Sequence, residues 1–486
     1  MKKTHSIILT FIAAIGLILS SCINDDFTDS PSATLAFSTD TVSFGTVFTD
    51  LGTPTARLLV FNRNKQGVRI SSIRFRDPDT PFTFNVDGVS GSTFRDVEIR
   101  GNDSIYIFIE CLIDADSQVE PRRVSDELEF ITNGVTQEVE VEAWAQNVTR
   151  LRGLKVEGEM TLTPTLPYVV MDSLTVEPGA LLKIEAGTQL LFHDKAHMRV
   201  SGRLEALGTP EAPIHMRGDR IDNVLPDVSY DIMSGQWEGI RITAESFGNR
   251  MENVNMRSTV SGLRVDSCGD LSAPKLTLVN SWLHNSRTTV LRSEHSVVDA
   301  YGCCFSEAAD AVVLLRGGKH QFTQCTISNY YLFSAITQAN LTLEYLLDSP
   351  TSRSGSGVPL DPAQLMEASF DNCIIYGLGM PISPGDLTGS LVFVRNSLVK
   401  TAGENDDNYL DCIWDEDPLF YTVRSDYYFN YRLKPDSPAF GKGNPEFVTP
   451  ECLIDMDGID RMTAPPDPGH PALGAYAAYE QTTEER

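Results

Sequence analysis

Arg287, Arg292, Arg316, Lys319 and His320 bring several cations and an imidazole into one stretch of the chain. A Lys, Arg or His base beside a cation that neutralises a carboxylate is the equipment for removing a proton next to a uronate carboxyl. The same groups can also hold an anionic sugar without any chemistry, so Arg292, Lys319 and His320 are the candidate ligand-binding residues. A plainer arrangement competes for part of the set. Arg316 follows Glu294 by 22 residues, and in a chain repeating at that interval the two stand side by side as a surface ion pair.

Other chemical sets fail on spacing. The chain has nine cysteines but no C-x-x-C, which argues against a structural zinc site. "DMDGID" from Asp455 resembles a calcium loop only at first sight. The loop needs an oxygen ligand at its fifth position, Gly at its sixth and Glu at its twelfth, where this chain offers Ile459, Asp460 and Pro466; a turn is expected instead. The only Asp-Asp pairs are Asp25-Asp26 and Asp406-Asp407. No metal, no cofactor and no catalytic residue is expected. Tyr330-Tyr331, Tyr427-Tyr428 and Trp237 can stack on sugars, or can serve as core and cap aromatics.

The elements that must position these residues belong to a long chain. At 486 residues, 41% hydrophobic and 22% charged, it can build more than one sizeable core. A net charge of −27 argues against a nucleic-acid partner, which needs clustered Lys and Arg.

Lys2 and Lys3 precede an apolar run, 7–19, too short to span a bilayer, and the run ends in "LSSC". This resembles the lipobox of bacterial lipoproteins, which implies cleavage after residue 21 and lipidation of Cys22. Residues 22–34 are then an acidic tether, and acidic residues just after the lipidated cysteine resemble the surface-export signal of Bacteroidetes lipoproteins. The resemblance implies a membrane partner through the N-terminal lipid. It also implies an outer-membrane location, on the cell surface or, as the alternative, on the periplasmic face.

Residues 35–148 alternate apolar and polar in short runs: "TVSFGTVF", "ARLLVFNRN", "VRISSIRF", "SIYIFIECLI", "DELEFIT" and "TQEVEVEAWA". Period two with turn residues between the runs predicts an antiparallel β-sandwich. "VSFGTV", the strand ending at Asn62, "PFTFNV" and "FITNG" resemble the Ig-like family found in ASPM, SPD-2, Hydin and major sperm protein domains. In that family the domain binds or spaces.

From residue 149 to about 480 the texture changes. "EPG" at Glu177, "IEAGT" at Ile184, "VSGRLEALGT" at Val200, "PI" at Pro213 and "WEGI" at Trp237 closely resemble the opening coils of right-handed parallel β-helix proteins. Later segments echo one another when Met256, Ser281, Cys303, Cys325, Cys373 and Ser397 are set in one column, at spacings of 25, 22, 22, 48 and 24. The preceding column, Asn255, Asn280, Gly302, Gln324, Asn372 and Asn396, reads as an amide ladder at a turn, stacked about 4.8 Å apart. "LTLEYLL" at Leu341 supplies the strand missing from the 48-residue step, and 349–362 is an excursion from it. Cys303, Cys325 and Cys373 read as inert stacked thiols; the alternative is that stacking brings Cys303 and Cys325 within disulfide reach in an oxidising compartment. The stretch from about 415, with "DPLF", "SPAFGKGNP", "DMDGIDR" and "ALGAY", resembles the closing segment of many bacterial β-helix proteins, and an open last coil needs a cap.

The fold class expected is therefore all-β: an N-terminal Ig-like β-sandwich followed by a right-handed parallel β-helix. Pectinase-type glycosidases of that fold carry N-x-D, an Asp pair, G-H-G and R-I-K on successive coils, and none of these occurs in the coil region. The functional expectation is a non-catalytic, lipid-anchored envelope protein that binds a glycan or another surface component through its β-helix. The alternative is a polysaccharide lyase or glycoside hydrolase acting on the β-helix face, separable from the first by whether carboxylates or a base–Arg set converge in a concave groove.

Overall fold

The computed structural model describes residues 26–225, 228–344, 366–383 and 391–478; Cys22 and the 349–362 excursion lie outside the described residues. The chain divides into two units, Met1–Asn147 and Val148–Arg486. No helix among the described residues is long and apolar enough to cross a membrane.

In the first unit the alternating runs become strands because every second side chain faces inward. In Asp103–Cys111, for example, Ile105, Ile107, Ile109 and Cys111 are buried. One sheet holds Ala36–Phe37, Ala56–Asn62, Asp103–Cys111, Phe82–Val86 and Val89–Gly91; the other is built on Thr41–Phe48, Val135–Gln146, Arg122–Thr132 and Val68–Phe75. The pairing is antiparallel except between Thr41–Phe48 and Val135–Gln146, which run parallel. Asn62, at the end of its strand, is buried and donates its amide to the carbonyls of Gln66, Ile99 and Arg100. This is an Ig-like sandwich around one apolar core.

The second unit is a parallel β-helix of three faces. A representative coil runs through Leu276–Val279 on the first face, Trp282–Ser286 on the second and Leu291–Glu294 on the third, and each strand pairs in parallel with its counterpart in the next coil. Inward residues form one continuous core. Phe305, Phe322 and Phe370 stack within it at ring separations of 5.8 and 5.2 Å. Trp237 is fully buried against Phe192 at 3.9 Å and donates its indole N–H to the Arg257 carbonyl. Leu341–Glu344 is the third-face strand of the long coil, in register with Val313–Arg316.

The repeat columns hold from Ser281 onward and need one correction before it. Met256 pairs with Leu283, so the residue in register with Ser281 is Val254, and the turn residue is Asn253 in place of Asn255. A shift of two along a strand keeps every side chain on its own face, so apolar patterning is blind to it. Backbone conformation is not. Asn253, Asn280, Gly302, Gln324, Asn372, Asn396 and Asp411 all have φ between +43° and +63°, the left-handed region that Gly and Asn tolerate best.

The next column is small for a reason visible in its bonds. The Ser281 hydroxyl donates to the Val279 carbonyl and accepts from the Val254 N–H, and Ser397 does the same with Arg395 and Cys373. The thiols of Cys303, Cys325 and Cys373 point to carbonyls two residues back in the same way. All eight described cysteines are buried and free, and Cys303 and Cys325 stack as thiols.

The amide column does more than stack. Asn280 donates to the Ile454 carbonyl, and Asn372 donates to the Asn444 carbonyl and accepts from its N–H. With its amide oriented to satisfy its neighbours, Gln324 donates to the Ala472 and Gly474 carbonyls and accepts from Asn372. The C-terminal segment thus runs along the flank of the solenoid, where Phe420, Tyr431, Leu433, Leu473 and Tyr476 form a second apolar cluster over Cys304, Ile374 and Leu398. "DMDGIDR" is the turn that ties it: Asp455 accepts from the N–H groups of Asp457, Ile459 and Ala477, and the buried Arg461 donates to the carbonyls of Cys452, Gly474 and Ala475.

Candidate functional site

Side chains that point outward from the second face form columns, one residue per coil. Arg217, Arg257, His284 and Ser306 share one column, and Asn255, Trp282 and Cys304 share its neighbour. At the turn that ends this face stand Ser258, Asn285 and Glu307, each with φ between +52° and +64°. A glutamate in such a turn column departs from its small and amide neighbours, and the backbone holds it in place.

Two excursions wall this part of the face. The first lies between the strands Ile214–Gly218 and Gly239–Ile242 and ends in a helical turn, Tyr230–Ile232. Ser258 and Asn285 pin that turn by donating to the carbonyls of Asp231 and Ile232. The second is the C-terminal segment around Tyr427–Arg432. Between them opens a cleft of about 310 Å³ whose floor carries Arg257, Trp282, His284 and Glu307, and whose rim carries Phe333, Tyr427 and Tyr428. Those rim aromatics are 41%, 42% and 56% exposed, as sugar-stacking platforms must be. Asn329 steadies the Tyr331 side of the cleft, accepting from the Tyr331 N–H and donating to the Ala308 carbonyl.

The floor is polar and dry. Trp282 and His284 stack at 4.1 Å, and the Trp282 indole donates to the Ser306 hydroxyl at 2.9 Å. Glu307 is 2% exposed, and its Oε1 accepts from the Tyr431 hydroxyl. Its Oε2 stands 3.9 Å from His284 Nδ1, beyond hydrogen-bond reach. Glu307 Oε2 and His284 Nε2 are both buried without a hydrogen bond. Buried polar atoms left without a partner cost free energy.

Burial sets the protonation of this pair. Desolvation pushes the Glu307 carboxyl up to about 7, outweighing the pull of neighbouring hydroxyls. Desolvation, followed by the nearby Arg257, pushes His284 well below the usual imidazole range. Near neutral pH the imidazole is uncharged, and the carboxyl is poised to gain or lose its proton. Carboxyl, imidazole and guanidinium converge in a concave site without any of the sequence motifs tested for.

The residues nominated from sequence lie elsewhere, and they are not brought together. Arg292 is on the third face and binds Glu294, with Nε to Oε1 at 2.8 Å. Arg316 beside it bridges Glu294 at 3.3 Å and Glu344, the ion-pair arrangement expected from the 22-residue spacing. Lys319 and His320 are on the first face, at a shallow depression of about 380 Å³ shared with Asp299, Gln321 and Glu367. There Lys319 pairs with Glu367 at 3.3 Å, while the His320 ring turns into the interior toward the Gly317 carbonyl, 2.8 Å away, and burial pushes it down to about 4. Arg287 reaches across to the Ser234 carbonyl.

Sequence reading missed Asp231, Arg257, His284 and Glu307. The column register would have placed Arg257 beside His284 had the two-residue slip been seen. Nothing in the sequence signals that the Asp231 turn folds back onto that column. In the first unit a groove of about 560 Å³ is lined by Phe75, Phe82, Phe84 and Phe108 together with Arg74, Arg76, Asp77 and Glu110, and its arginines are paired with Glu129 and Glu138.

No family model matches the chain, and no curated protein matches it. Among solved structures it is similar to the ASH/PapD-like domain of human CEP192, at 11% identity and a TM-score of 0.18, over 25% of this chain and 89% of that one. It is also similar to a family 123 glycoside hydrolase from Clostridium perfringens, at 7% identity and a TM-score of 0.17, over 24% of this chain and 30% of that one. A third is a protein of unknown function from Porphyromonas gingivalis, at 11% and 0.18, over 26% of this chain and 60% of that one. Likenesses at this level assign the chain to no family and carry no function.

Proposed function

We propose that this chain is a lipid-anchored envelope protein, tethered through Cys22, that binds a glycan in the cleft on the second face of its β-helix. The observation that carries the reading is the composition of the cleft. Exposed aromatics at the rim offer flat surface for sugar rings, and polar side chains that line the cleft, Ser229 and Arg257 among them, offer partners for sugar oxygens. The volume suits one or two sugar units, so the bound element is a chain end or a side branch. The Ig-like unit, whose groove arginines are held by glutamates, fits the spacing or binding role of the family it resembles.

The expectation of a non-catalytic protein rested on the lipobox, the two repeat-type domains and the missing motifs; a carboxyl, an imidazole and a guanidinium lining one cleft support the alternative. Glu307 and His284 favour keeping a lyase or hydrolase as the second reading. A glycan array probed with the purified protein tests the first: selective binding that is lost on Trp282→Ala supports it, and absence of binding to every glycan contradicts it. Turnover of a bound glycan would move the assignment to the second reading.

A further inference from the structure

We propose that the sugar held in the cleft is acidic, and that Arg257, backed by Arg217, receives its anionic group; this rests on the glycan reading of the cleft. The observation is a count of buried charge. Arg217 and Arg257 occupy the same column in adjacent coils, and both turn to one carboxylate, Asp231, at 3.1 and 2.8 Å. The three side chains are only 16%, 23% and 12% exposed. Two guanidiniums against one carboxylate leave one positive charge over in a partly dry site, where an uncompensated charge is costly.

The surrounding groups do not remove the surplus. Arg220 is occupied by Asp222 and Arg432 by Asp457, and the Asp219 carboxylate is turned to His193 Nδ1, 2.6 Å away. His215, in the column beside the arginines, is pushed down by burial and then by Arg257 and Arg217, so it stays uncharged at neutral pH. Glu307, on the far side of His284, is held toward its neutral form by burial. Arg257 lines the cleft, and a guanidinium presents a planar fork that matches carboxylate or sulfate oxygens in a bidentate manner. With an anionic group at Arg257, the ring beside it lies over Trp282 and His284.

Calorimetric titration of the intact protein at neutral pH tests this with matched probes: oligogalacturonides and their carboxyl-reduced forms, and sulfated galactan oligosaccharides and their desulfated forms. The expected result is that at least one acidic member binds about tenfold or more tightly than its neutral partner. Arg257→Gln should erase that ratio, weakening the acidic member far more than the neutral one, and Arg257→Lys should keep part of it. Asp231→Asn, which enlarges the surplus and leaves the pinning backbone carbonyl in place, should tighten the acidic member several-fold. A purely structural role predicts loss in both Arg257→Gln and Asp231→Asn. Equal affinity for acidic and neutral forms overturns this inference and leaves the glycan reading standing; binding of no glycan, here or on the array, overturns both.

Discussion

Asn280 and Ile454 are joined by a hydrogen bond, side-chain amide to backbone carbonyl at 2.8 Å, across 174 residues of chain. The bond shows what the turn column is for. A left-handed backbone at the turn points the amides of Asn280, Gln324 and Asn372 outward, and the C-terminal segment is bound by all three.

Removing them should loosen that segment before the solenoid melts. Asn280→Ala and Asn372→Ala each delete a bond to the segment and also replace a residue that tolerates the left-handed region with one that tolerates it less, at a φ of +43° or +54°. Each should cost about 1–2 kcal/mol, and the pair should expose the 444–477 segment to limited proteolysis. A Gly replacement, which tolerates the φ, should cost less than Ala at both sites.

The small interior column predicts a tolerance order. Serine already occupies it at 281 and 397 with the same carbonyl partners that Cys325 uses, so Cys325→Ser should change stability by less than about 1 kcal/mol. Cys325→Leu must force bulk between close coils and should cost roughly 1–3 kcal/mol. Chemical denaturation of the two variants measures both. In the native protein, burial raises the Cys303 and Cys325 thiols well above the usual range, so a thiol reagent should label them only on unfolding.

Much of this fold was legible because coils repeat. "IEAGT", "VSGRLEALGT" and the Asn/Cys echoes mark turns and interior positions that recur, and parallel stacking turns recurrence in sequence into neighbourhood in space. The limit was parity. Met256 was set two places away from its true column because both choices face inward, and only the φ of Asn253 distinguishes them. The cleft was less legible still. Arg292, Lys319 and His320 are close in sequence yet sit on different faces, whereas Asp231, Arg257, His284 and Glu307 come from separate coils and an insertion. The partners of Asp231 and Glu307 depend on where two excursions fold, which no local pattern encodes.

Glu307 should make stability fall as pH rises. Its folded value, about 7, lies above the ordinary 4.5, so between those two values the folded state holds a proton that the unfolded state has released. Stability from this group is fully present below about pH 4.5 and is lost as pH climbs through 7. The full loss is roughly 3 kcal/mol. His284, pushed the other way by burial, opposes this trend only below the ordinary imidazole value of 6.5. The difference between wild type and Glu307→Gln, measured by denaturation from pH 5 to 8, isolates the carboxyl: the wild type should lose stability relative to the variant across that range. A flat difference would place the Glu307 carboxyl in its ordinary range.

The cleft as a glycan site is tested most directly at its rim. Tyr427 and Tyr428 are exposed and can be removed without opening the core. With an oligosaccharide selected on the array, calorimetric titration of wild type and the Tyr427→Ala/Tyr428→Ala double variant should show affinity falling about tenfold or more while the melting temperature stays unchanged. Equal affinity for the two proteins, at equal melting temperature, would contradict the assignment of the cleft as the place where glycan binds.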